Sequence, residues 1–193
     1  MTYYLPGLIL FLIGWFHLFD ITVQLDENII RYIQQIFNRK PFLFFFKEIW
    51  FFGRTSFALI ILVFLICMNW KTGLTAVGVF LLIVGIEYLI KTLYFRSRPY
   101  TAHQGIAMLQ PFEPLDSSFP SGDTMRVWYL ALIISASAGN TTSFLIATIC
   151  LAFLVTLGRL VMGVHYLTDT LAGAGLGILG AGTTIWLWNL LNI

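Results

Sequence analysis

Charge is scarce in this 193-residue chain: Asp, Glu, Lys and Arg make up only 10% of it, against about 25% in an average soluble domain. A water-facing globule needs more polar surface than that, so a soluble domain is excluded. Neither sign is in marked excess. The formal charge of +2 is too small and too dispersed for a protein that tracks nucleic-acid phosphates. Cysteine is also rare; Cys67 and Cys150 both lie in apolar runs, where they read as small core residues and say nothing of redox compartment. No Ser-, Gly- or Pro-rich linker divides the sequence, which reads as one membrane-embedded domain over residues 1–193. The N-terminus lacks a basic leader and a small-residue cleavage site, so the first apolar run is expected to stay as a span.

What is present is apolar: 59% hydrophobic and 17% aromatic. This predicts an all-α, polytopic membrane protein. Apolar stretches at 5–19, 55–70, 73–95, 124–139, 143–157 and 170–191 predict six transmembrane helices. Between the first two, residues 20–52 mix Asp26, Glu27, Arg31, Arg39 and Lys40 with Ile29, Ile30, Ile33 and Ile36. Isoleucines at three- and four-residue spacing suit a helix lying in the membrane interface. Pro41 restarts the chain, and the FLFFF run after it is a second interfacial piece or the lead-in to the second span. The turns at 69–72 and 140–142 are short, so the helices they join should be antiparallel neighbours. Gly175, Gly177 and Gly180 match the GxGxxG spacing of nucleotide sites, but they sit in an apolar helix without a preceding strand. Small residues at this spacing let helices approach closely, and packing is the expected role.

The few polar residues fall at span ends. Glu87 and Lys91 end the third span, with Arg96, Arg98 and Pro99 after it; Pro120, Ser121, Gly122 and Asp123 open the fourth; Arg159 ends the fifth; His165 and Asp169 open the sixth. Alternating topology puts all four clusters on one membrane face. Charge at membrane depth is costly, so such convergence points to a functional site. Lys91, Arg98 and Arg159 suit an anion with several oxygens, the arginines clamping it bidentately. Ser121 and Gly122 sit where a helix begins, with free N–H groups and the positive end of the dipole. Together these predict a phosphate pocket. His165 and Asp169 stand four residues apart, close enough for the carboxylate to hold one ring nitrogen and free the other as nucleophile. Gly158 and Gly163 predict a turn that brings Arg159 and His165 to one place. Glu87, one turn before Lys91, is expected to neutralise or aim that lysine, and Arg126 to pair with Asp123. His17 reads as an interfacial polar residue. Each of these motifs alone is common as a helix stop, a cap or a local pair. Their occurrence together, in order and on one face, is not.

These residues carry a resemblance. KTLYFRSRP (Lys91 to Pro99) fits Lys, six residues, Arg-Pro; PSGD (Pro120 to Asp123) fits Pro-Ser-Gly-His except at its last position; GRLVMGVHYLTD (Gly158 to Asp169) fits Ser-Arg, five residues, His, three residues, Asp, with Gly158 in place of the Ser. The sequence resembles the type-2 phosphatidic acid phosphatase family of integral-membrane lipid phosphatases. The resemblance implies a metal-independent enzyme without cofactor that works through a phosphohistidine. His165 would be the nucleophile and Asp169 its orienting partner. Lys91, Arg98 and Arg159 would bind the phosphoryl oxygens, with Ser121 and Gly122 completing the cradle. The substrates it implies are lipid phosphates: phosphatidic acid, phosphatidylglycerophosphate, polyprenyl diphosphates or lipid A phosphates. Two other readings stay open, a phosphoryl transferase between lipids and a degenerate phospholipid binder. Oligomeric state has no signal in the sequence.

In that family the residue at position 123 is a His that protonates the leaving oxygen. An Asp ionises near about 3.9. A helix start and Arg126 favour the carboxylate, whereas a bound phosphate and apolar surroundings favour the acid. Three possibilities follow: Asp123 is the acid, the leaving group needs no proton because it is itself a phosphate, or His103 in the loop supplies the proton. The topology places all Lys and Arg except Lys71 on the active side, which by the positive-inside rule would make that side cytoplasmic. The resemblance implies the periplasmic or extracellular face of a cell (inner) membrane, and the count is contaminated by cations the site would hold. The outer face is the expectation.

Overall fold

The computed structural model describes residues 2–37, 39–139 and 141–193. Among them there is no strand. The helices are α1 (Tyr4–Gly14), α2 (Asp20–Phe37), α3 (Lys40–Ile49), α4 (Thr55–Met68), α5 (Trp70–Leu93), the single turn α6 (Pro99–Ala102), α7 (Gly122–Ser137), α8 (Thr142–Val161) and α9 (Leu167–Leu190), with short 3₁₀ turns at Trp15–Leu18 and Trp50–Gly53. The fold is all-α, as the composition requires.

The hub is α9, which packs chiefly on α1 and α7 and also on α5. Its glycines make this possible. A side-chain carbon at Gly175 would strike the α1 backbone at Gly7 and Phe11, and one at Gly177 the α7 backbone at Met125 and Tyr129. The glycine run is therefore a packing device: backbones approach where a Cβ would hold them apart.

By length and apolarity α5, α8 and α9 can each cross a bilayer, and joining α1 to α2 and α3 to α4 across their short breaks raises the number to five. With 11, 14 and 16 residues, α1, α4 and α7 are shorter than the about 20 that a straight span needs. Six full-length helices are thus not what the six apolar runs make. α1 stops because the chain tightens into the 3₁₀ turn around buried His17 and then bends by 102° into α2. His17, expected at the interface, is enclosed by Trp15, Tyr94 and Phe119.

α2 buries a stripe of Asp26, Ile30 and Gln34, while Ile21, Leu25, Tyr32 and Ile36 face outward. The isoleucine spacing does not mark the inward face; only Ile30 of the four is fully buried. An apolar outer face and a polar inner one suit a helix with lipid outside and protein polar groups inside. Pro41 lies in the first turn of α3, a separate helix that leads through a 45° bend into α4.

The α4–α5 connection is as tight as its sequence suggests. The Asn69 side chain accepts from the N–H groups of Lys71 (3.0 Å) and Thr72 (3.4 Å), capping α5. Asn140, in the other expected turn, lies outside the described residues; α7 and α8 on either side of it pack together. The turn before His165 needs one correction. α8 continues to Val161, so Gly158 lies inside the helix, where its missing side chain admits the Phe46 ring. Gly163 alone makes the turn, with φ 69°.

Candidate active site

Sequence-distant segments end around one cavity of about 170 Å³. Trp50 comes from the 3₁₀ turn before α4, Lys91 from the end of α5, and Arg98 from the residue before α6. Gln110, Pro114 and Asp116 come from the loop at 103–121; Gly122, Asp123 and Arg126 from the start of α7; Arg159 from the end of α8; His165 from the turn that follows. A roomier groove of about 620 Å³ near Phe64 and Trp188 has no charged side chain in its lining. The smaller cavity has four cations and two carboxylates, so it is the one with anion chemistry.

Lys91 Nζ lies 3.0 Å from Glu87 Oε1 and donates to Asp116 Oδ2 at 2.5 Å. Glu87 reaches this position because residue 122 is glycine; a Cβ there would collide with its carboxylate. Arg98 donates to Asp116 Oδ1 at 2.6 Å and to the Val164 carbonyl at 2.9 Å. Arg126 donates to the Gly53 carbonyl at 3.0 Å and to Asp123 Oδ1 at 2.6 Å. Arg159 donates to Gln110 Oε1 at 2.6 Å and stands 3.2 Å from Asp123 Oδ2. Its Nε and Nη1 are buried with no hydrogen-bond partner among the described residues. Buried donors are nearly always satisfied, and two spare guanidinium N–H groups beside a cationic cavity are ready for an anion's oxygens.

His165 Nδ1 lies 2.8 Å from the Ser118 carbonyl. A carbonyl only accepts, so Nδ1 carries the hydrogen and Nε2 keeps its lone pair, with Arg98 Nη1 3.4 Å away. Burial first, and the Arg98 guanidinium second, lower this imidazole to about 4. At neutral pH it is an uncharged ring with a free nitrogen at an electropositive cavity.

Asp169 was expected to orient His165 directly. Its Oδ2 is 3.7 Å from Nδ1, beyond hydrogen-bond range. Its oxygens instead accept from the Tyr166 N–H at 2.8 Å and from Arg96 Nη1 at 2.5 Å. The reason is local: Asp169 is the third residue of α9 and closes a capping box there. Arg96 also donates to Asp26 Oδ2 at 2.9 Å and to Thr168 Oγ1 at 2.8 Å. Asp26 accepts in turn from the Thr168 N–H at 3.2 Å and from the Thr168 hydroxyl. α2 is thereby tied to the start of α9 through buried charge.

The structure brings Lys91, Arg98, Gly122, Asp123, Arg159 and His165 to one cavity but leaves three expected residues, Asp169, Ser121 and His103, out of its lining. Ser121 is fully buried behind the wall; its N–H is spent on the Asp169 carbonyl at 3.0 Å and its hydroxyl pairs with Thr124 at 3.0 Å. His103 pairs with Glu27 at 3.0 Å, edge-on to Tyr166. Asp123 accepts from Trp50 Nε1 at 2.8 Å as well as from Arg126, with Arg159 as a second ion-pair partner. Trp50, Gln110 and Asp116 carried no signal in the sequence, because a loop without periodicity and an isolated indole gain meaning only when the chain folds. Arg126 was legible as the partner of Asp123 but not as a wall of the cavity. Among the described residues no group of three or more His, Cys, Asp or Glu is placed to hold a metal ion.

An all-helical membrane scaffold with a cationic, histidine-bearing cavity defines an integral membrane protein with a cation-lined cavity. The profile of the PAP2 superfamily matches residues 72–192, and the chain belongs to that superfamily. Its fold is similar to the first transmembrane PAP2-type phosphatidylglycerolphosphate phosphatase from Bacillus subtilis, with 22% identity, a TM-score of 0.82, and 96% of this chain and 95% of that one covered. It is also similar to LpxE from Aquifex aeolicus, with 23% identity, a TM-score of 0.74, and coverage of 82% and 93%. A comparison with curated proteins finds no match.

Proposed function

We propose that the protein is a metal-independent lipid phosphatase in which His165 forms a phosphohistidine, and that its preferred substrate is a lipid diphosphate. The observation that carries this is the free Nε2 of neutral His165 at a cavity lined by Lys91, Arg98, Arg126 and Arg159. The Nε2 lone pair attacks the terminal phosphorus, and the bond to the bridging oxygen breaks, its electron pair leaving with the lipid. Water then attacks the phosphorus, the N–P pair returns to Nε2, and both of the water's protons stay on the released phosphate. Positioning and charge stabilisation supply most of what such transfer needs.

Asp123 supports the diphosphate. Trp50 and Arg126 donate to it and the Arg159 guanidinium stands 3.2 Å from Oδ2, and a carboxylate held by two donors and two cations has no proton to give. A monoester must expel an alkoxide and needs that proton. A diphosphate expels a lipid phosphate, whose second pKa is about 6, and does not.

The active face is proposed to be periplasmic or extracellular, in a cell (inner) membrane. Four of the cations that weight the positive-inside count line the cavity, and Arg96 is buried on carboxylates. Cysteine labelling at a terminus in intact cells reads the orientation. For the chemistry, labelled phosphate is expected to be trapped on the wild type and not on His165→Ala, and release from a polyprenyl diphosphate should exceed release from phosphatidic acid. Trapping that survives His165→Ala would remove the nucleophile, and a strong preference for phosphatidic acid would remove the diphosphate.

A further inference from the structure

The carboxylate of Asp116 bridges two cations of the cavity from a loop rather than from a helix. Oδ2 accepts from Lys91 at 2.5 Å and Oδ1 from Arg98 at 2.6 Å. Two oxygens on one carbon, each meeting a different cation, reproduce the way two oxygens of a phosphoryl group would meet them. We propose that Asp116 is a specificity-determining residue: a resident carboxylate that occupies the anion seat between Lys91 and Arg98 and yields it only to a more highly charged phosphoryl group.

Three further observations fit a side chain that can leave. Its side chain is 53% exposed, so it has solvent to rotate into. Its backbone is anchored separately, since the Asp116 and Ser117 carbonyls accept from Arg98 at 3.1 and 3.4 Å. Vacating the seat therefore takes a rotation about side-chain bonds and no opening of the loop. Burial raises this carboxyl, but Lys91 and Arg98 outweigh it and hold the group at about 2, so it competes as a full negative charge throughout the working range.

The consequence is a filter by charge. A tethered carboxylate competes at an effective concentration in about the millimolar range. A monoanion exchanges one charge for one and gains nothing against it. A phosphoryl dianion brings more charge and a third oxygen, which the spare N–H groups of Arg159 can receive.

The inference rests on reading the cavity as an anion site, and its test is binding rather than turnover. Purified full-length wild type and Asp116→Asn are titrated calorimetrically with inorganic phosphate and with methanesulfonate as a monoanion. Asp116→Asn is expected to bind phosphate about tenfold tighter, the scale of one hydrogen bond to a charged group, and to gain measurable affinity for methanesulfonate. Thermal melting checks that the variant is folded, and Asp116→Ala repeats the titration should the amide hold the seat as the acid does. Unchanged or weaker phosphate binding in both variants would overturn the proposal, making Asp116 a support for the cations. Phosphate binding by neither the variants nor the wild type would overturn it too, while lipid hydrolysis measured on the same samples judges the proposed function separately.

Discussion

His165 has two distinct consequences at the scale of a single residue. Its proton binds near 6.5 in the unfolded chain and near 4 in the folded one, so between those values the unfolded state holds more protons. Stability therefore rises with pH across that window and is lost as pH falls through it. The melting temperature in detergent should drop between about pH 7 and about pH 5, and His165→Asn should flatten that drop. An equally steep drop in the variant would assign the acid sensitivity to other groups. The second consequence concerns legibility. His165, Arg98, Arg159 and Lys91 could be read because their spacing and residue types are tied to chemistry. Of their partners, Glu87 beside Lys91 could be read, but those of His165 could not. Ser118 meets His165 through a backbone carbonyl, which no side-chain pattern encodes, and Asp169 is drawn off by the cap of its own helix and by Arg96.

At the scale of elements, the sequence marked apolar runs well and helix ends poorly. Runs register composition, whereas ends are set by turns such as Trp15–Leu18, where a buried imidazole stops a helix that hydrophobicity alone would continue. The inward face of α2 was not legible for a related reason. Isoleucine spacing reports an apolar stripe but not whether lipid or protein receives it, and here lipid is the better solvent for Ile21, Leu25 and Ile36. The α7–α9 contact offers a direct check. Gly177→Leu forces a side chain into the α7 backbone and is expected to cost about 1–3 kcal/mol or more, read as a lower unfolding midpoint. Gly78→Leu, at a glycine with nothing within 4 Å, should be close to neutral. Equal effects would mean that helix propensity, and not interhelical contact, decides both.

Across the whole molecule, distant parts are joined by charge as much as by apolar contact. Asp26 is 2% exposed and holds both Arg96 and Thr168. Removing one member of a buried pair leaves the other uncompensated, so Asp26→Asn is expected to destabilise the protein by about 3–5 kcal/mol. A change below about 1 kcal/mol in detergent unfolding would place the pair in contact with water. The sequence presented Asp26 as one more charge on an interfacial segment. Its burial could not be read there, because the partner lies 70 residues away and nothing local links the two.

That tie sets a limit on dissection. The residues on which the family resemblance rests all fall within the matched span of 72–192, and the Asn69 turn looks like a natural place to cut. A fragment starting there would keep His165 and the cations Lys91, Arg98 and Arg159. It would also strand Arg96 without Asp26, Asp123 without the Trp50 indole, and α9 without α1 along its glycine track. The half that the family profile matches is therefore not portable. The residues before the turn at Asn69 supply contacts that the rest lacks, and a severed pair of halves should regain function only when both are made together.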